Sequence, residues 1–286
     1  MSHAGRIGNV VTLNGQLPET WQVRAGERLR LLLINTANAR HCALRFEGHE
    51  PLIIAIDGQP VEPHAPEGGT VILAAAMRVD LLLDLSNEPG SRFRVIDEFY
   101  PRFAYRLIDL LYTEESRIGV AAHSARVRLP PNPVPEPDMA AARRHEIVFT
   151  GGAMGGLRGA KLDGVWSDIR SLAAKDVFWV VNGVARQAGD FDAEPVLTLE
   201  RNASYVLAMR NDTAFPHPIH LHGYSFRVLS RDGMPITHRP WQDTVLMQPE
   251  ERVEIAFKAD NPGDWLFHCH VLEHMTSGMT GVIRVA

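Results

Sequence analysis

Arg252-Val253-Glu254-Ile255-Ala256-Phe257-Lys258 alternates polar and apolar side chains, the two-residue period of a strand with one buried face. Working outward from it, residues 27–36 and 71–85 are apolar and rich in β-formers. Turn dipeptides punctuate the chain at Asp57-Gly58, Pro89-Gly90, Asp232-Gly233 and Pro262-Gly263. Short strands separated by such turns predict an all-β chain built of sandwiches. The run Pro130-Pro131-Asn132-Pro133-Val134-Pro135-Glu136-Pro137 is a stiff, extended linker. It divides the chain into a domain over 1–130, a linker over 131–144 and a domain over 145–286. Residues 151–175, rich in Gly and Ala, are expected to form a loop with a short helix.

Composition narrows the class. The chain has 286 residues, 45% hydrophobic and 22% charged, ordinary values for a globular protein with substantial cores. A net charge of −5 gives no reason to expect nucleic acid or an anionic membrane as partner. No apolar run approaches the roughly 20 residues that span a bilayer. Met1-Ser2-His3-Ala4-Gly5-Arg6 resembles neither a signal peptide nor a twin-arginine leader, so the expectation is a cytoplasmic protein or an export signal outside this chain. Only Cys42 and Cys269 are cysteines, which excludes a disulfide scaffold.

The two halves echo one another. Leu44-Arg45-Phe46-Glu47-Gly48 and Asp57-Gly58-Gln59-Pro60 match Ile219-His220-Leu221-His222-Gly223 and Asp232-Gly233-Met234-Pro235. Asn35-Thr36 echoes Asn211-Asp212-Thr213, and Met77-Arg78-Val79-Asp80 echoes Glu251-Arg252-Val253-Glu254. Pro89-Gly90 through Val95-Ile96-Asp97 echoes Pro262-Gly263 through His268-Cys269-His270. Echoes in the same order at nearly constant spacing indicate a duplicated domain.

What differs between the copies is chemistry. The second carries His217, His220, His222, His268, Cys269, His270, His274 and Met279; where six of these align, the first carries Cys42, Arg45, Glu47, Val95, Ile96 and Asp97. A lone histidine is ordinarily a satisfied core or surface residue. Six of 13 histidines in two short windows, spaced His-x-x-His-x-His and His-Cys-His-x-x-x-His, are a ligand set. Zinc is the competing metal, but it takes four ligands in one closed tetrahedron and methionine is not among its usual donors. Neighbouring side chains on a strand point to opposite faces. Cys269 therefore faces one way, His268 and His270 the other. A thiolate with His217, His274 and a weak axial Met279 is the donor set of a blue-copper electron-transfer centre. His220, His222, His268 and His270 remain as imidazole ligands for further copper, and Cys269 is bonded through the backbone to two of them.

Phe215-Pro216-His217-Pro218-Ile219-His220-Leu221-His222-Gly223 and Phe267-His268-Cys269-His270-Val271-Leu272-Glu273-His274 through Gly278-Met279 resemble the two C-terminal signatures of the multicopper oxidases, laccases and bacterial metallo-oxidases among them. The resemblance implies two cupredoxin-like Greek-key β-sandwiches, the first similar to that family's copper-free middle domain. It implies a copper-dependent oxidoreductase that takes electrons from a phenolic, amine or metal-ion reductant and passes four to dioxygen. By motif, His217, Cys269, His274 and Met279 match type 1 ligands, His220 the type 2 ligand, and His222, His268 and His270 type 3 ligands. Cys269, His268 and His270 match the residues along which electrons pass. Export to the periplasm is a further implication.

Two features depart from the family pattern. Its trinuclear cluster takes eight histidines, four of them from two His-x-His pairs in a first domain, and this chain has no other such pair. His3, His41, His49, His64, His123, His145 and His238 are read as structural or surface residues. A missing first domain or another subunit is therefore expected to complete the site, and the alternative is a blue-copper module without turnover. Met275 stands where many bacterial relatives carry a proton-relaying Glu; Glu273 and Asp243 are the nearby acids. Met139, Met154, Met209, Met234 and Met247 are read as packing residues.

Overall fold

The computed structural model describes residues 3–119, 127–187, 189 and 194–286; Met1, Ser2 and His123 lie outside them. The chain divides into two compact units. One is Ile7–Asn132. The other joins Pro133–Ala286 to the segment that ends at Arg6, which the sequence division puts with the first domain.

In Ile7–Asn132, a five-stranded sheet runs in the order Thr20–Val23, Tyr105–Tyr112, Arg92–Asp97, Cys42–Phe46, Thr70–Leu73. A four-stranded sheet runs Arg28–Ile34, Arg78–Asp84, Leu52–Ile56, Gln59–His64. The apolar run 71–85 thus supplies strands to both sheets, broken by a turn in which Ala76 takes a positive φ of 72°.

The second unit repeats the plan. Its five-stranded sheet runs Leu197–Leu199, Thr280–Val285, Gly263–Cys269, His217–Leu221, Thr244–Met247. The facing sheet centres on Arg143–Gly151, Ser204–Asp212, Arg252–Lys258 and Phe226–Arg231. Along Arg252–Lys258 the alternation works as read: Val253, Ile255 and Phe257 are fully buried. Each such side chain contributes about 1.5–3 kcal/mol of hydrophobic stabilisation. Met209 and Met247 are buried packing residues, whereas Met154 and Met234 are exposed.

The duplication holds at the level of single hydrogen bonds. The Asp57 backbone N–H donates to Arg78 O at 2.8 Å, and the Arg78 N–H donates back to Asp57 Oδ1 at 2.9 Å. Asp232 and Arg252 make the same two bonds at the same two lengths. Buried Asn35 donates its amide to Arg40 O and Leu73 O and accepts from the Ala37 N–H; buried Asn211 donates to Phe215 O and Gln248 O and accepts from the Thr213 N–H.

Residues 151–175 differ from expectation in one respect. The short helix is there, Ile169–Ala173, capped by the Asp168 carboxylate. Before it, Gly159–Leu162 and Val165–Asp168 form a hairpin instead of a loop. Asp163-Gly164, both at positive φ, is the two-residue turn that a hairpin favours.

Candidate metal centre

The strand His217–Leu221 lies between Gly263–Cys269 and Thr244–Met247, with Ile219 opposite Cys269 and His220 opposite His268. The interior face gathers His217, Cys269 and, from the short helix Leu272–Thr276, His274. His217 Nδ1 and His274 Nδ1 stand 3.0 Å apart, and Cys269 Sγ is 3.5 Å from the first and 3.6 Å from the second. Donors 2.0–2.3 Å from one ion in a trigonal plane lie roughly 3.5 Å apart. The triangle therefore has the size of a single metal site. Among the described residues it is the one group of three His, Cys, Asp or Glu side chains drawn this close. Met279 is fully buried beside it: its carbonyl accepts from the Cys269 N–H at 3.1 Å and its N–H donates to His274 O at 2.9 Å.

Each ring is aimed by its other nitrogen. His217 Nε2 bonds Thr213 Oγ1 at 2.8 Å, and that hydroxyl is itself held by Asn211 Oδ1. His274 Nε2 bonds the carbonyl of His3 at 2.8 Å. Both Nδ1 atoms are thereby left facing the sulfur, as ligating histidines require. Trp179, 2% exposed, closes the pocket with its ring centroid 5.0 Å from His217 and 4.3 Å from His274. Trp179 can sit there because Gly278 approaches its backbone; a Cβ on Gly278, already at φ +113°, would meet Trp179 O at 2.2 Å.

The opposite face carries the four remaining histidines. Their ring centroids lie 4.5–6.0 Å apart in the pairs His220–His222, His222–His268, His268–His270, His220–His268 and His220–His270. Here the aiming is reversed. His220 Nδ1 bonds Asp243 O at 2.9 Å and Thr244 Oγ1 at 3.0 Å, and His268 Nδ1 bonds Cys269 O at 2.9 Å. Nε2 is then the outward donor, and His222 Nε2 meets His268 Nε2 at 3.1 Å. Asp243 Oδ1 accepts from Thr244 Oγ1 at 2.8 Å and lies 3.5 Å from His220 Nδ1, so this acid buttresses a ring of the set. Glu273 pairs with Arg6 at 2.8 Å.

Burial dominates the electrostatics. It pushes the pKa values of His268 and His274 down to about 4 and lowers that of His222, which keeps the rings neutral and able to ligate. It also pushes the Cys269 thiol up. A coordinating cation reverses that preference, because it deprotonates the thiol it binds.

Among its described residues the first unit has no such set. Leu44 lies opposite Asp97 and Arg45 opposite Ile96, so Asp97 occupies the position of Cys269, Ile96 that of His268, and Cys42 that of His217. This moves the sequence alignment of 95–97 by one residue. The cause is a register shift between Val95 and Ile96, where a bulge absorbs the extra residue. Arg45 bonds Glu98 at 2.9 Å and Glu47 bonds Arg94 at 2.9 Å, so both are engaged as ion pairs. Of the scattered histidines, His41 is buried against Phe99, His49 bonds Tyr112 Oη, and His145 packs on Tyr205. His3 departs from that reading through its backbone. A main-chain carbonyl leaves no mark in sequence, whereas Thr213 stood inside a repeated segment and could have been singled out.

A family model described as multicopper oxidase matches residues 165–286, and a second with that description matches 2–98. Multicopper oxidase MmcO of Mycobacterium tuberculosis is 26% identical over 272 residues, covering 93% of this chain and 49% of that protein. The chain spans about half the length of the curated relatives it matches. The multi-copper oxidase structure from Pseudomonas thermotolerans has a TM-score of 0.80 at 31% identity, covering 98% of this chain and 60% of that one. The one from Pseudomonas parafulva has a TM-score of 0.74 at 30% identity, covering 99% and 62%. These neighbours bear out the all-β, cupredoxin-like fold. With both halves matched in order, the chain belongs to the multicopper oxidase family, a family that binds copper.

Proposed function

We propose that the second unit would hold type 1 copper on His217, Cys269 and His274 with Met279 as the fourth donor, and would contribute His220 to a type 2 and His222, His268 and His270 to type 3 positions. The observation that carries this reading is the buried triangle of two Nδ1 atoms and one sulfur with edges of 3.0, 3.5 and 3.6 Å. A soft thiolate with two imidazoles and a thioether suits copper better than zinc or a hard cation. Copper supplies one-electron redox chemistry, drawing single electrons from a phenol, amine or reduced metal ion and, in a complete assembly, serving the four-electron reduction of dioxygen to water. The chain's own residues prepare the ground. Thr213 and the His3 carbonyl take the Nε2 protons of the two ligand rings. Trp179 keeps water off them. The backbone from Cys269 to His268 and His270 is a short through-bond connection between the two faces. Asp243, beside His220, is the acid best placed to hand on protons, since Glu273 is engaged by Arg6.

A second reading is favoured by a specific observation: the four histidines of the opposite face make a looser set than the triangle. On that reading the 286 residues act alone as a blue-copper electron-transfer module without turnover, whereas on the first a further domain or another subunit supplies the other imidazoles. Metal content, the visible spectrum and oxygen uptake of the copper-loaded chain test both. A blue protein with little uptake alone, and uptake restored by a cupredoxin domain bearing two His-x-His pairs, is the expected result. Laccase-level uptake by the chain alone would overturn the half-site, and a colourless loaded protein would overturn the type 1 assignment.

A further inference from the structure

The outer edge of His274 is covered by the chain's own backbone. His274 Nε2 points at the His3 carbonyl at 2.8 Å. The His3 ring packs edge-on to Phe178 at 5.9 Å and tilted over Phe215 at 6.2 Å. Phe215 in turn meets the Trp179 ring edge-on. Three residues beyond His3, Arg6 Nε donates to Glu273 Oε1 at 2.8 Å, one residue from the ligand. The segment ending at Arg6 accordingly clusters with the second unit, and His274 is only 1% exposed. Electron entry to a buried metal is fastest at the ligand edge nearest the donor, so whatever covers that edge governs which donors come close.

We propose that His3–Arg6 is a strap over the His274 edge that selects reductants by size, with the Arg6–Glu273 ion pair as its pin. The proposal rests on the type 1 reading of His217, Cys269 and His274. A small planar donor approaches over the strap and delivers its electron through the His3 carbonyl hydrogen bond. A bulky one waits until the strap lifts. The pin is well suited to adjustment: Arg6 is 82% exposed and Glu273 15%, and such pairs are held only weakly.

The test uses two neutral donors of the same chemistry, hydroquinone and 2,6-di-tert-butylhydroquinone. With oxygen excluded, one hydroquinone reduces two Cu(II)-loaded chains to Cu(I), leaving as quinone with two protons released to water. Bleaching of the thiolate-to-copper band gives the rate. Arg6→Ala is expected to raise the rate with the bulky donor about threefold to fivefold, the factor an exposed ion pair supports, and to leave the small donor's rate nearly unchanged. Arg6→Lys keeps the charge and should keep the parent ratio. A second measurement needs no metal: tryptic cleavage after Arg6 should be faster by a similar factor in Glu273→Gln, because cleavage follows the population of the lifted segment. If the band forms and bleaches but the ratio of the two rates is unchanged in Arg6→Ala, the strap is refuted and the copper reading survives. Cleavage no faster in Glu273→Gln refutes the pin. If no band forms, the copper reading falls and the strap falls with it.

Discussion

Asp97 and Cys269 sit at the same point of two copies of one fold, and one is tied up in hydrogen bonds where the other stands in the triangle with His217 and His274. Both accept a bond from the N–H two residues on, Phe99 at 3.2 Å and Val271 at 3.4 Å. Both are followed by a residue whose N–H reaches the neighbouring strand, Glu98 to Ala43 O and His270 to Pro218 O. The difference lies across that strand. Ala43 has an N–H and gives it to Asp97 Oδ1 at 3.0 Å, and Tyr105 adds its hydroxyl to Oδ2 at 3.0 Å. Pro218, in Ala43's place, has no N–H to give. The sulfur of Cys269 therefore faces no backbone donor from that position. In the first unit the one thiol, Cys42, is pushed up to about 12, mainly by burial and then by the Asp97 charge, which leaves it little thiolate at neutral pH. A shared framework has been kept while the donors on it were exchanged.

The sharpest way to break this comparison is to make the second copy resemble the first. Cys269→Asp, or the smaller change Cys269→Ser, should abolish the visible band of the copper-loaded chain completely, because a hard oxygen replaces the soft thiolate. Retention of the band in either variant would mean that the triangle is not the coloured site.

Acid comes next in size. His268 and His274 are buried with pKa values near 4, whereas an unfolded histidine titrates near about 6.5. Between those values the unfolded chain binds the extra protons, so stability is full above about pH 6.5 and is lost as pH falls toward 4. Each ring should cost the metal-free chain on the order of 3 kcal/mol by the lower end of that window. Denaturant titrations of metal-free protein from pH 7 to 4 read this directly, with the double variant His268→Gln, His274→Gln expected to flatten the curve.

Equal effects are expected where the copies are equal. Asn35→Ala and Asn211→Ala each take a buried amide donor away from two buried or part-buried carbonyls and should each cost roughly 1–3 kcal/mol. Asn211→Ala should also broaden or weaken the blue band, since it releases Thr213 from its place under His217. The smallest effects separate the two turn aspartates. Asp57 is buried and Asp232 exposed, so Asp57→Ala should cost about 1–2 kcal/mol and Asp232→Ala less than about 1 kcal/mol in the same measurement. Equal losses would mean that the shared N–H bond, not burial, sets the value.

Strand period, turn dipeptides and the internal echo were enough to read an all-β duplicated chain, because each is a local signal repeated in order. The residues of the triangle and of the opposite face were legible for a related reason: most fall in two short windows on paired strands, and alternation sorts them into two faces. What escaped has physical causes. A one-residue bulge at Val95 shifts register without altering composition. The hairpin over Gly159–Asp168 hid in a Gly-rich stretch, although Asp163-Gly164 marked its turn. The His3 carbonyl reaches a residue 271 positions away through a group every residue possesses.

Trp179 is one of five tryptophans in the chain, and it alone has its ring centroid within 5.0 Å of two rings of the triangle. That proximity makes it a built-in optical reporter. Excited indole packed on imidazoles that hold a coloured, paramagnetic ion would lose its energy before it can emit. Trp21 and Trp166 stand in water and emit at longer wavelength, whereas Trp179, at 2% exposed, contributes to the blue edge of the fluorescence. Titrating Cu(II) into the metal-free chain should therefore erode that blue edge first, and the erosion should disappear in Trp179→Phe. The arrival of the first metal ion can be followed by ultraviolet light alone, with no label and no substrate.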